Sequence, residues 1–132
     1  MRILLAAVIG LHGLIHLMGT AKAFGWAELA QLKMPISPSM GLVWGAAALL
    51  FLGAGVGVVV WPRGWWALAA AGLVLSTVAV MASWADAKGG AVANVVIAVA
   101  ALAAFLLDGP TMGVILLVAA PRTAAWPLRE HF

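Results

Sequence analysis

The 132-residue chain contains no cysteine, which excludes disulfides, thiolate metal sites and cysteine nucleophiles. Charge is nearly as scarce: 8% of residues are Asp, Glu, Lys or Arg, against roughly 25% in a soluble domain. The seven Lys and Arg are scattered, with no basic run, so nucleic acid is excluded as a partner despite a formal charge of +3. Long polar stretches and internal repeats are missing too, and with them a soluble catalytic domain and the inverted halves of a transporter. What fills the chain is apolar: 66% hydrophobic residues and a mean hydropathy of +1.16. In water such a surface would expose large apolar patches, so the lipid bilayer is its expected surrounding.

The apolar residues fall into four runs, predicting an all-α integral membrane protein: a four-helix transmembrane bundle forming a single domain over 1–132. The expected spans are 3–20, 40–61, 65–84 and 91–107. Ala21-Lys22-Ala23 after the first run has the form of a signal-peptide cleavage site, but the run is long for a leader, and a retained span is expected. Between the first two spans, residues 21–39 carry Phe24, Trp26, Leu29 and Leu32 at near-helical spacing, which predicts a short interfacial helix. Pro35 and Pro38 end it, and Ser37 or Ser39 is placed to cap the second span. Gly41 with Gly45, and Gly53 with Gly57, are small-residue pairs that allow close helix approach. Pro62-Arg63-Gly64 predicts a tight turn, with Trp61, Trp65 and Trp66 at one membrane interface. Residues 85–90 read as a polar loop, and 108–132 as an interfacial piece and tail. Four spans place Arg2, Arg63, Arg122 and Arg129 on the side of the termini and Lys22, Lys33 and Lys88 on the other, so the termini are expected to be cytoplasmic.

Two histidines stand inside the first span. His12 and His16 are four residues apart and share a helix face. Ionisable groups at membrane depth are costly and usually face a bundle interior or wet cavity. Counting the helical rise from the non-terminal side puts His16, Trp44, Ser83 and Asn94 roughly 2–6 Å inside the boundary. His12 and Ser76 or Thr77 fall about 10–12 Å deep on the same count, with Asp86 and Lys88 just above the membrane. The candidate ligand-binding set is therefore His12, His16, Trp44, Ser76, Ser83, Trp84, Asp86, Lys88 and Asn94. Plain structural roles compete with it. The histidines could simply bond to Ser83, Asn94 or a carbonyl, Trp44 and Trp84 could belong to an aromatic belt, and Asp86 and Lys88 could be an exposed pair.

Three cofactors suit these residue types. A quinone carbonyl could accept from either imidazole, between Trp44 and Trp84. Haem would require a dimer, because two histidines on one helix cannot ligate opposite faces of one macrocycle. Copper(I) suits imidazole with thioether, with His12, His16, Met18 and Met81 as candidate ligands and Met34 and Met40 near the same end. Methionine also fills apolar gaps without any metal.

The segments GLHGLIHLMG with AKAF, PISPSMGLVWGAAALLFL and SWADAKGGAVANV resemble a family of small, uncharacterised bacterial proteins with four spans. The chain as a whole is more loosely similar to DoxX-like proteins, small four-helix membrane proteins, some of them linked to quinone-dependent redox complexes. The resemblance covers most of the chain up to Asn94 and nothing after Asp108. It implies a multi-pass protein of the bacterial cytoplasmic membrane with a link to redox complexes, and the small size, glycine-lined faces, Trp belts and lack of a soluble catalytic domain suit an accessory or interaction subunit of a membrane complex, or a homo-oligomer. It carries over no catalytic residues. The alternative from the residues themselves is a ligand-binding or redox protein with its pocket in the outer half, around His12 and His16.

Overall fold

The computed structural model describes residues 1–108. They form four helices: α1 (Arg2–Ala23), α2 (Pro38–Val60), α3 (Trp65–Ala82) and α4 (Trp84–Asp108). Each is long and apolar enough to cross a membrane, and the described residues contain no strand. At 1.5 Å per residue, α3 reaches about 27 Å and α4 about 37 Å, so α4 outruns a 30 Å hydrocarbon core unless it tilts. Leucines and valines such as Leu4, Leu42, Val74 and Val95 point outward on all four helices, the distribution lipid demands.

The α1–α2 seam is built from small residues. A Cβ on Gly13 would stand 3.1 Å from Ala48 O and Phe51 Cβ, and one on Gly55 would stand 3.1 Å from Ala6 O. The expected Gly41 and Gly45 join this seam, against Ala23 and Thr20, while Gly57 meets Trp65 instead. Phe51 fills the centre, fully buried with Ile9, Ala47, Ala54, Ala69 and Ile97. The helices pack in chain order, α1 on α2, α2 on α3 and α3 on α4, and α1 meets α4 only sparsely. Ala6 lies beside Gly55, and Trp66 against Phe105, so Met1, the 61–64 turn and Asp108 share one end.

Four expectations are corrected. No interfacial helix follows α1. Gly25, at φ +69, closes α1 with Trp26 N–H on Ala21 O at 2.8 Å and Gly25 N–H on Lys22 O at 3.1 Å, the paired bonds of a Schellman ending. Residues 24–37 continue as turns, and Ser37 caps α2 by accepting from Met40 N–H, with Pro38 in its first turn. Residues 85–90 are not a loop. They are the first turns of α4, because Ser83 alone joins α3 to α4, its carbonyl accepting from Asp86 and Ala87 N–H. The third span accordingly ends at Ala82, not Trp84. Trp65 does not sit in an exposed belt but is buried in the core, while Trp61 stays half-exposed. The Pro62–Gly64 turn forms as expected, and a Cβ on Gly64 would strike the Trp61 ring. The expected interfacial piece and tail, with Arg122 and Arg129, lie outside the described residues.

This arrangement puts residue 63 and residue 88 at opposite ends of the bundle. Cysteines introduced as Arg63→Cys and Lys88→Cys should react with a membrane-impermeant maleimide from opposite faces of oriented vesicles. Labelling of both from one face would refute the topology.

Candidate functional site

His12 and His16 face inward, 4% and 2% exposed, with ring centroids 4.9 Å apart and planes nearly perpendicular. Their partners come from α3 and α4. His12 Nε2 lies 2.9 Å from Asn94 Oδ1, and His16 Nε2 lies 2.8 Å from Ser76 Oγ. Ser76 Oγ donates to the same Asn94 Oδ1 at 2.8 Å, so four buried side chains form one connected network across three helices. Thr77 takes no part. Its hydroxyl bonds back to Leu73 O within α3 on the exposed side, which settles the Ser76-or-Thr77 choice for Ser76.

α2 supplies the aromatic wall. Trp44 and Phe51 are seven residues apart and share a helix face. Phe51 stands edge-on to His12 at 4.9 Å and stacks with His16 at 5.6 Å, while Trp44 is tilted against His16 at 4.9 Å. Trp44 reaches this position because Gly19 leaves its ring room. A Cβ there would lie 2.1 Å from the indole.

Beside these rings is a cavity of about 320 Å³, bounded by His12, His16 and Met18 of α1, Trp44 of α2, Val80 of α3, and Asp86 and Gly90 of α4. Gln31 and Leu32 of the connecting segment close it like a strap. Two bonds hold the strap in place: Lys22 Nζ donates to Leu32 O, and Met34 N–H donates to Asp86 Oδ2 at 2.6 Å. Asp86, Gly90 and Asn94 recur every four residues of α4 and therefore share its inward face.

The remaining predicted residues are elsewhere. Lys88 and Trp84 are exposed and line no part of the cavity, since α4 already runs through them with its inward face at 86, 90 and 94. Ser83 is buried at the α3–α4 corner, outside the cavity wall. Met81 is 65% exposed, and Met34 and Met40 also stand off the cavity, so Met18 is the thioether that accompanies the two imidazoles. Among the described residues, no group of three or more His, Asp or Glu side chains is arranged to hold a metal. Sequence reasoning passed over Phe51, Gly19, Gly90 and the strap. The seven-residue spacing from Trp44 pointed to Phe51, and the three-residue spacing from His16 pointed to Gly19; the strap left no such mark.

Two buried side-chain atoms among the described residues have no hydrogen-bond partner, and they are neighbours: His16 Nδ1 and Trp44 Nε1. Buried polar atoms are otherwise almost always paired. Both residues border the cavity.

Asn94→Leu removes the oxygen on which two donors depend. It should lower stability by about 1–3 kcal/mol, read from unfolding in detergent. Thr77→Ala, outside the network, should change it by less than about 0.5 kcal/mol. Equal effects would mean that the network does not hold the bundle.

No family model, curated protein or solved structure matches the chain, so its function rests on the geometry of these residues.

Proposed function

We propose that this chain is a membrane-embedded binding protein for a small apolar ring ligand with a polar substituent, such as a quinone or quinol headgroup. One observation carries the reading: a cavity of about 320 Å³ is bordered by His16 and Trp44, the two residues whose buried side-chain nitrogens have no partner among the described residues. The volume falls at the lower end of the roughly 300–1,000 Å³ of small-molecule sites, enough for one substituted ring. Haem is the poorer occupant, because both Nε2 atoms are engaged by Asn94 and Ser76. Copper would have to make do with Met18 and the histidines' remaining nitrogens.

The setting in keeping with this reading is the bacterial cytoplasmic membrane with the termini inside, as the arginine distribution favours and as the resemblance to DoxX-like proteins implies. Decyl-benzoquinone or its quinol should produce a saturable change in tryptophan fluorescence of the detergent-purified protein. Gly19→Leu, which displaces Trp44 from its seat, should weaken it at least tenfold. Absence of a saturable change with either form would overturn the reading, and an intrinsic haem or copper spectrum would redirect it.

α4 supports a second role, as an accessory subunit of a larger membrane complex, a redox complex being the setting that the resemblance suggests. It packs on α3 and barely meets α1, leaving Val95, Val99, Leu102 and Leu106 outward. Photocrosslinking from position 99 in native membranes should give a discrete protein adduct. Lipid adducts alone would count against a subunit role.

A further inference from the structure

The cavity has an open side, and the packing of the helices locates it. α1 packs on α2, α2 on α3 and α3 on α4, while α1 and α4 meet only sparsely. Trp44 of α2 and Val80 of α3, both buried, form the back wall. Among the residues that border the cavity, Ile15 of α1, Gly89 of α4 and Gln31 of the strap are exposed. A Cβ on Gly89 would meet nothing within 4 Å, so no side chain covers the α4 edge. The strap crosses above this seam, tied at Leu32 to Lys22 of α1 and at Met34 to Asp86 of α4. Below it, the His12–Asn94 bond bridges the same two helices. The result is a window framed on four sides. Gly89 lies five residues into α4 and Ile15 eight residues before the end of α1, about 7–12 Å in from the helix ends. The window is therefore on the membrane side of the strap, where the four apolar helices meet lipid.

We infer that the cavity opens sideways into the lipid through this window, and that its ligand carries an apolar tail, an alkyl or isoprenoid chain, which leaves through it into the bilayer; this rests on the binding function proposed above. A cavity of about 320 Å³ holds a substituted ring but not a long chain as well. Ile15, Val80 and Gly89 bring no hydrogen-bonding side chain to the opening. A charged substituent would lose its water there without a partner, whereas a hydrocarbon chain has none to lose. Lipid is as apolar as the seam, so the tail gains little by lying in it. What the window supplies is room, and an obstacle there should act on the tail and not on the ring.

The test uses the full chain in detergent, with tryptophan fluorescence as the readout and two probes, decyl-benzoquinone and its methyl counterpart. Micelle uptake of a probe is the same with either protein, so the ratio of wild-type to variant affinity reads the protein alone. Gly89→Leu, which adds bulk at the bare edge and suits a helix better than glycine, should weaken the decyl probe at least tenfold and the methyl probe less than twofold. Leu14→Phe, on an exposed part of α1 that borders no part of the cavity, should change neither. Ile15→Phe raises the same obstacle from α1 and carries the test should Gly89→Leu fail to fold. An unchanged decyl affinity would overturn the window, and equal losses for both probes would overturn the tail, because the ring would then occupy the seam; either result leaves the binding function standing. Should the methyl probe bind too weakly to register, the decyl probe decides alone, a tenfold loss supporting the window and no loss overturning it. Binding of neither probe to the wild type would overturn both this inference and the binding function beneath it.

Discussion

One oxygen atom, Asn94 Oδ1, joins the two helices that packing brings together only sparsely, α1 and α4. Helices in lipid gain little from burying apolar surface against one another, because the surrounding tails are as apolar as the helices. The small-residue seam holds α1 to α2, and α3 follows through Phe51 and Gly72. α4 packs mainly on α3 and meets α1 only sparsely, with Ile97 and Ala101 as its buried apolar residues in the shared core. By accepting from His12 on α1 and Ser76 on α3, the Asn94 oxygen sets the rotation of α4 towards α1. Everything on the same face of α4 follows, including Gly90 beside His12 and Asp86 beneath the strap.

The close α1–α2 approach has its own consequence for the site. Gly19 lets the Trp44 indole lie on the α1 backbone, which turns a residue at a membrane-interface level inward. An interfacial tryptophan normally keeps its N–H in contact with water or headgroups. Here the indole is 3% exposed and its N–H is unpaired. The glycine seam and the polar network meet at His16, which packs on Trp44 and bonds to Ser76. Packing and polarity therefore build the cavity wall together.

Much of this architecture was legible in the sequence, for a physical reason. The bilayer imposes a length on every apolar run, so four runs read as four helices, and the i, i+4 histidines had to share a face. Depth was legible as well, since rise per residue is fixed: His12, His16, Trp44, Ser76 and Asn94 do gather in one half of the bundle. Azimuth was not. Depth alone could not separate Asp86 from Lys88 or Ser76 from Thr77, because each pair differs by one or two residues in height but by 100° or more around the helix, as about 3.6 residues per turn requires. The polar run from Ala85 to Gly90 concealed a helix start, and with it the face shared by Asp86, Gly90 and Asn94. The segment after α1 misled in the opposite direction. Its apolar spacing suited a helix, but Gly25 in the left-handed region and the Pro35–Pro38 pair give it turns.

The histidines are bonded into the fold and also border a cavity. His16 Nε2 is bonded into the network, while Nδ1 is buried without a partner in a ring that also borders the cavity. An unsatisfied buried nitrogen costs about 1–3 kcal/mol, a cost met by the folded state. The network makes that state attainable, since Ser76 and, through it, Asn94 hold the imidazole in place.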